Sequence, residues 1–130
     1  MSSAGVRYLK INFDEVISSL REYAKRKSGQ ARAIVLVGSL ARGDYAGTSD
    51  ADVLVIADDV PARFLDRTVL FADAKTPVDL EPRVYTTDEF VRKVRDGDPF
   101  AMESLDIGIP LHGDRFFNEL RESLGKQCCK

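Results

Sequence analysis

The sequence contains few of the residues that cross-link small proteins. Its two cysteines, Cys128 and Cys129, are adjacent near the C-terminus, and His112 is its single histidine. Adjacent cysteines at a chain end cannot cross-link a core, and with one histidine they do not supply the four ligands of an ordinary structural zinc site. With 130 residues, 44% of them hydrophobic, the chain can bury a conventional core without such links. We therefore expect one domain over residues 1–130.

The sequence also lacks an excess of positive charge and a long apolar run. Nineteen Lys and Arg against 21 Asp and Glu give a net charge of -2, so direct nucleic-acid binding is not expected. No stretch is apolar enough for a membrane span or a secretory signal, and we expect a cytoplasmic protein. Walker-type, dinucleotide-binding and G-x-S-x-G motifs are missing as well, which argues against those nucleotide-binding and hydrolase classes.

The pattern that remains predicts an α/β (α+β) domain, in which apolar β-branched runs alternate with segments of helical periodicity. The first half is expected to begin with a helix that is capped by Asn12 and ends near residue 27. A strand at 31–37, one helical turn at 39–42 and a strand at 51–56 follow. The next helix is expected at 61–72, with the apolar residues Phe64, Leu65, Val69 and Phe71. A strand at 77–85 follows, where Pro82 indicates a sheet edge, a bulge or a break because it has no amide hydrogen. After it come a helix with the capping box Thr86 and Glu89, a helix begun by Asp98 and Pro99, the short segment IPLHG and a last helix through Leu124.

Two acidic residues stand where the second strand begins. Asp50 and Asp52 are two residues apart, so on a strand their carboxylates lie on the same face. Paired carboxylates need a counter-cation, and their oxygens suit Mg²⁺, which proteins usually hold together with the phosphates of a nucleotide. Two such ions about 4 Å apart would serve an in-line displacement that releases pyrophosphate.

The turn after the first strand supplies a second set of candidate ligands. Gly38 allows a ligand to approach the backbone closely, and the Ser39 hydroxyl with the free amides of the short helix forms an anion site. Arg42 either adds a charged contact for the same phosphates or forms an ion pair at the surface. We expect this turn to bind the phosphates of a nucleotide.

A third acid should come from the strand at 77–85. Asp79 and Glu81 are again two residues apart and share one face of that strand. Either can complete the metal shell or act as the general base toward an acceptor hydroxyl. The residues alone leave both assignments open.

The stretch VGSLARGDYAGTSDADVLVIAD resembles the minimal nucleotidyltransferases of the DNA polymerase β-like superfamily, which act as antitoxins beside HEPN-domain toxins. The family pattern is Gly-Ser, ten residues and Asp-x-Asp, matched here by Gly38, Ser39, Asp50 and Asp52, with Ser49 also in place. The likeness extends from about residue 34 to residue 114. The resemblance implies a mixed β-sheet flanked by helices and assigns the third carboxylate to Glu81, with Asp79 as the alternative.

The resemblance also implies a reaction and a partner. The expected activity is Mg²⁺-dependent transfer of a nucleoside monophosphate, AMP from ATP, to an acceptor hydroxyl. Larger relatives carry a second domain for the acceptor, for which 130 residues leave no room, so we expect the acceptor on a second protein, the HEPN toxin. Two alternatives stay open: a binding module that neutralises its partner by occlusion, and a small-molecule nucleotidyltransferase whose acceptor site forms between subunits of an oligomer.

Overall fold

The computed structural model of the chain describes residues 13–42, 51–73, 75 and 79–128, with only the backbone for residues 13, 39 and 126–128. Its four strands are β1 (Ala33–Val37), β2 (Ala51–Ile56), β3 (Leu80–Tyr85) and β4 (Ile109–His112). Its helices are α1 (Phe13–Lys27), α2 (Gly38–Arg42), α3 (Phe64–Phe71), α4 (Thr87–Arg95), α5 (Pro99–Ile107) and α6 (Asp114–Cys128), and a 3₁₀ turn at Ser28–Gln30 follows α1. The order of the predicted helices and strands is confirmed, and the segment IPLHG, for which no strand was predicted, contains β4. The Asn12 cap lies outside the described residues.

The four strands form one mixed sheet in the order β3-β2-β1-β4. β1 is antiparallel to β2 and to β4, and β2 is parallel to β3, with α3 in the connection between them. The pairing of β2 with β3 aligns Ala51 with Leu80 and Asp52 with Glu81. The predicted mixed sheet flanked by helices is therefore confirmed.

Helices cover both faces of the sheet, which explains why β1 and β2 are apolar on both sides. On one face the core is built from α1, the end of α3 and the side chains of Ile34, Leu36, Val53, Val55 and Val84. On the other face α4, α5 and α6 pack against Val35, Val37, Leu54, Ile56 and Tyr85. Within β2 every residue is buried except Asp52, so the helices leave this end of the strand open.

Pro82 lies in the edge strand β3, as predicted. The carbonyls of Asp79 and Tyr85 accept hydrogen bonds from the amides of Ala51 in β2 and of Ala57 directly after it. The backbone polar groups of the odd-numbered residues of β3 therefore point toward β2. The missing amide of Pro82 therefore points to the open edge and removes no hydrogen bond from the ladder. Arg67 covers the same edge, donating to the carbonyl of Val84 at 3.2 Å.

Helix α3 differs from its prediction in both bounds and orientation. It begins at Phe64 because Arg63 has an extended backbone and the carbonyl of Pro61 accepts a hydrogen bond from the Arg67 side chain. Arg67, only 4% exposed, also binds both carboxylate oxygens of Glu89 in α4. Because Arg67 and Phe71 face inward, the other apolar residues of the helix face outward. Large exposed apolar side chains are Phe64, Leu65, Val69 and Leu70.

The predicted capping box of α4 is present. The Thr86 hydroxyl accepts from the Glu89 amide at 3.2 Å, and the Glu89 carboxylate accepts from the Thr86 amide at 2.9 Å. Glu89 thus caps α4 and pairs with Arg67 of α3 at the same time. In the part of the chain that the structure describes, no helix has the length and hydrophobicity needed to cross a membrane.

The Arg67 and Glu89 contact should make stability depend on pH. The hydrogen bonds from Arg67 lower the pKa of Glu89 below its ordinary 4.5. The stability that this carboxylate gives to the folded state is complete at pH values above the ordinary pKa. It is lost as the pH falls through the lower pKa of the folded state. Glu89→Gln keeps an acceptor for the Thr86 amide but removes the charge. We expect it to cost about 1 to 2 kcal/mol at neutral pH.

Urea unfolding between about pH 7 and pH 3 measures the effect, and Glu119→Gln, at an exposed position in α6, is the control. The stability of the Glu89→Gln protein should fall less steeply with acid than that of the wild type or the control. An unchanged slope in Glu89→Gln would show that this contact does not couple folding to pH.

Candidate functional site

Two carboxylates meet at the open end of the sheet. Asp52, the second residue of β2, is the register partner of Glu81, the second residue of β3. Register partners project from the same face of a sheet, on strands about 4.8 Å apart. Asp52 is half-buried and Glu81 is exposed, so both carboxylates are accessible from solvent. The parallel pairing thus creates a pair of neighbouring acids from residues 29 positions apart in the chain.

Asp79, the alternative third acid, lies two residues before Glu81 in the chain. It precedes β3, is exposed, and its backbone carbonyl accepts a hydrogen bond from the Ala51 amide at 2.8 Å. The strand alternation puts Asp79 on the face of Glu81, but the register pairs Asp52 with Glu81 and not with Asp79. The register therefore favours Glu81 over Asp79 as the neighbour of Asp52.

Gly38 is the residue of the turn that contacts this acid pair. Val37 at the end of β1 pairs with Asp52, and α2 begins with Gly38 directly after it. Gly38 has a φ of +76°, which favours glycine, and an added Cβ would collide with Oδ2 of Asp52 and lie 3.2 Å from its Cβ. The carboxylate of Asp52 thus packs directly over the Gly38 backbone, and a larger residue would require that carboxylate to move.

The other residues predicted to bind metal or nucleotide are Asp50, Ser49, Ser39 and Arg42. Asp50 and Ser49 lie outside the described residues, and Ser39 is described only by its backbone at the start of α2. Arg42, at the last turn of α2, forms an ion pair with Glu103 of α5. Both side chains of this pair are partly exposed, and the contact ties α2 to α5. The predicted contact of Arg42 with a phosphate stays a prediction.

Two residues of this region escaped the sequence analysis. Arg83 lies two residues after Glu81 on the same face of β3, and its guanidinium stacks 4.5 Å from the ring centroid of Phe100 in α5. The ring of Phe100 in turn lies 6.5 Å from that of Tyr85. The alternation of β3 could have placed Arg83 beside Glu81, but no sequence pattern connects it with Phe100.

The chemistry of these side chains fits a divalent cation. Two neighbouring carboxylates repel each other, and a hard cation with oxygen ligands removes that repulsion. Among the described residues no group of three His, Cys, Asp or Glu side chains forms a complete metal shell. Asp52 and Glu81 provide two carboxylates, and the tight packing on Gly38 holds one of them in place.

Comparisons with known proteins identify the family of the chain. A family model described as a nucleotidyltransferase domain matches residues 17–109, more than half of the chain. A search of curated protein sequences finds no match. The matched range contains the glycine turn, both carboxylates and Arg83.

Two solved structures share the fold. A protein from Sulfolobus solfataricus, assigned as a nucleotidyltransferase and solved at 1.40 Å, is 22% identical with a TM-score of 0.50, over 62% of this chain and 75% of that chain. A chain of a toxin-antitoxin structure with AMP-PNP is 18% identical with a TM-score of 0.56, over 86% of this chain and 88% of that chain. From the family match, supported by the shared fold, we conclude that the chain belongs to the nucleotidyltransferase domain family.

Proposed function

We propose that this protein transfers a nucleoside monophosphate, AMP from ATP, to a hydroxyl group of a partner protein in a Mg²⁺-dependent reaction. The partner we propose is a HEPN-domain toxin, which the transfer would inactivate. The observation that carries the proposal is the register of β2 and β3, which aligns Asp52 with Glu81 beside the Gly38 turn. Mg²⁺ is usually bound by one or two carboxylates together with substrate phosphates, and a glycine allows phosphates to approach the backbone closely.

The metal ligands in this proposal are the carboxylates at the ends of two strands. Asp50, Asp52 and Glu81 would hold up to two Mg²⁺ ions, with Asp79 as the alternative third acid. When bound, the ions neutralise charge on the phosphates and stabilise the leaving pyrophosphate. The Gly38 backbone, the Ser39 and Ser49 hydroxyls and Arg42 are the proposed nucleotide contacts. Arg42 would exchange its ion pair with Glu103 for a phosphate oxygen.

The residues at these positions account for the proton, the bond formed and the bond broken in the transfer. The acceptor hydroxyl gives its proton to Glu81, and its oxygen forms a new bond to the α-phosphorus of ATP. The bond between that phosphorus and the bridging oxygen of pyrophosphate breaks, and pyrophosphate leaves with the bonding electrons. Glu81 suits the role of base because it is exposed on the outermost strand of the sheet.

The surface of α3 supports a protein as the acceptor. Three of its apolar side chains, Phe64, Leu65 and Val69, are each more than half exposed on a helix of eight residues. Apolar surface concentrated in this way is typical of protein contact sites. The fold shared with a chain of a toxin-antitoxin structure supports the same conclusion about the kind of partner.

The test is incubation of the protein with MgCl₂, each of the four α-labelled NTPs and the product of the neighbouring gene, followed by intact-mass analysis of both chains. We expect an AMP adduct on the partner, formed from ATP. Asp52→Asn and Glu81→Gln should each slow its formation by about 100-fold or more, since each removes a charged metal ligand or base. Asp79→Asn should slow it less than about tenfold.

Asp59→Asn, at an exposed position beyond the other end of β2, is the matched control and should transfer at the wild-type rate. If no NTP gives an adduct while the two proteins still co-purify, the transfer proposal is wrong and occlusion explains the interaction. If the adduct forms on a small molecule in the absence of a partner, the protein acceptor is wrong.

Gly38→Ala tests the packing of the turn against Asp52. The added methyl group would displace the carboxylate, so we expect loss of metal-dependent nucleotide binding. The matched control is Gly97→Ala, because Gly97 has a φ of +78° and open space around the position of a Cβ. Both variants carry backbone strain of about 1 to 2 kcal/mol, but only the first carries the collision.

Calorimetric titration with Mn²⁺ and ATP, together with thermal unfolding, separates the two effects. Gly97→Ala should melt earlier than the wild type and bind normally. Equal nucleotide affinity in folded Gly38→Ala and Gly97→Ala would contradict the proposed role of the turn.

A further inference from the structure

Arg83 is a cation at the site that the proposed reaction does not use. Its side chain is exposed and lies on the face of β3 that carries Glu81. At the usual rise of a strand, the two Cα atoms are about 6.6 Å apart along β3. If Glu81 contacts a hydroxyl of an acceptor protein, a group of that protein bound by Arg83 would therefore lie one or two residues from the hydroxyl.

The stack on Phe100 fixes the orientation of the Arg83 guanidinium. The Cζ atom lies 4.5 Å from the ring centroid, and the ring itself is held by packing near Tyr85, which is buried. Such a stack covers one face of the guanidinium and leaves its N–H edge available for a bidentate contact with an anion. The arrangement limits the conformational entropy that Arg83 would lose on binding.

Arg83 stacks on an aromatic ring and is in no ion pair with another described residue. The ion pairs of the described residues do not include Arg83, whereas they do include Arg26, Arg32, Arg42, Arg63 and Arg67. The Phe100 ring contacts the flat face of the guanidinium and not its N–H edge. An anionic ligand would accept hydrogen bonds from that edge.

The strand order decides which substrate reaches Arg83. The Gly38 turn follows β1, Asp52 is in β2, and Glu81 and Arg83 are in the outermost strand β3. In an in-line transfer the leaving pyrophosphate and the acceptor lie on opposite sides of the α-phosphorus. With the phosphates at Gly38, the acceptor enters from the β3 side. This step rests on the proposed function.

We propose that Arg83, held by Phe100, binds a carboxylate of the acceptor protein close to the hydroxyl that is modified. The substrate would then be a Ser, Thr or Tyr with an Asp or Glu within about two residues, or adjacent to it in the partner's fold. Arg83 is a specificity residue in this account, because it contacts the acceptor and not the atoms that react.

The test is steady-state transfer at varied concentrations of the partner protein, with Arg83→Gln, Arg83→Lys and Arg115→Gln. Arg115 is an exposed arginine of α6, a helix that contacts β1 and β4. We expect Arg83→Gln to raise the KM for the partner about tenfold or more, the effect of losing one charged contact, while kcat changes less than about threefold. Arg83→Lys should recover part of the loss, because it keeps the charge but not the bidentate geometry.

Substitution of the partner's acidic residues near the modified hydroxyl completes the test. One such change should raise KM as Arg83→Gln does, and the two changes together should give no additional increase. A KM for the partner that is unchanged in Arg83→Gln overturns the proposal. So does a fall in ATP affinity that accounts for the whole effect, since it would assign Arg83 to the nucleotide.

A binding measurement keeps this inference separate from the proposed function. Calorimetric titration of the partner into wild-type protein, Arg83→Gln and Arg115→Gln needs no transfer. If the wild type transfers nothing, the proposed function fails, whereas weaker binding confined to Arg83→Gln would still support an acidic contact. If all three proteins bind the partner with equal affinity, the proposed contact between Arg83 and an acidic residue is wrong.

Discussion

The site depends on the parallel register of β2 and β3. Asp52 and Glu81 become neighbours only because Ala51 aligns with Leu80. A shift of one residue would turn Glu81 to the opposite face of the sheet, toward α1 and the core. The antiparallel pairing of β1 with β2 adds the third element, since it places Val37, and therefore Gly38, beside Asp52. Three strand ends thus meet at one point where the helices leave the sheet uncovered.

The rest of the fold keeps this register in place. Helices on both faces bury β1 and β2, and that burial specifies which residues face each layer. At the open side of β3, Arg67 binds the carbonyl of Val84 and the carboxylate of Glu89, which joins α3, β3 and α4. Pro82 can occupy the edge strand because its missing amide faces away from β2. The edge is therefore closed to further strand pairing by side chains and not by another strand.

Much of this architecture could be predicted from the sequence. Apolar runs identified β1 and β2, Pro82 indicated an edge, and Thr86 with Glu89 indicated the start of α4. These signals are local, because each depends on residues a few positions apart. The orientation of α3 was not predictable in the same way. Arg67 faces inward because of carbonyl and carboxylate partners on other elements, which local periodicity does not record.

The site shows the same division between local and distant information. Gly38 and the Asp-x-Asp pattern are visible within one short stretch, and their spacing indicates a shared site. Strand register, which the sequence leaves open, makes Glu81 and not Asp79 the neighbour of Asp52, and the role of either acid as the third carboxylate stays a prediction. The stack of Arg83 on Phe100 joins residues of a strand and a helix. This contact depends on the packing of α5 against the sheet, which no local sequence pattern encodes.

The most direct test of the central claim is a crystal structure of the protein with Mn²⁺ and a non-hydrolysable ATP analogue, with Mn²⁺ located by its anomalous scattering. We expect Mn²⁺ in contact with the carboxylates of Asp52 and Glu81, on the face that carries Gly38, and the triphosphate beside the Gly38 turn. Nucleotide bound with Mn²⁺ at some other position, away from this pair, would contradict it.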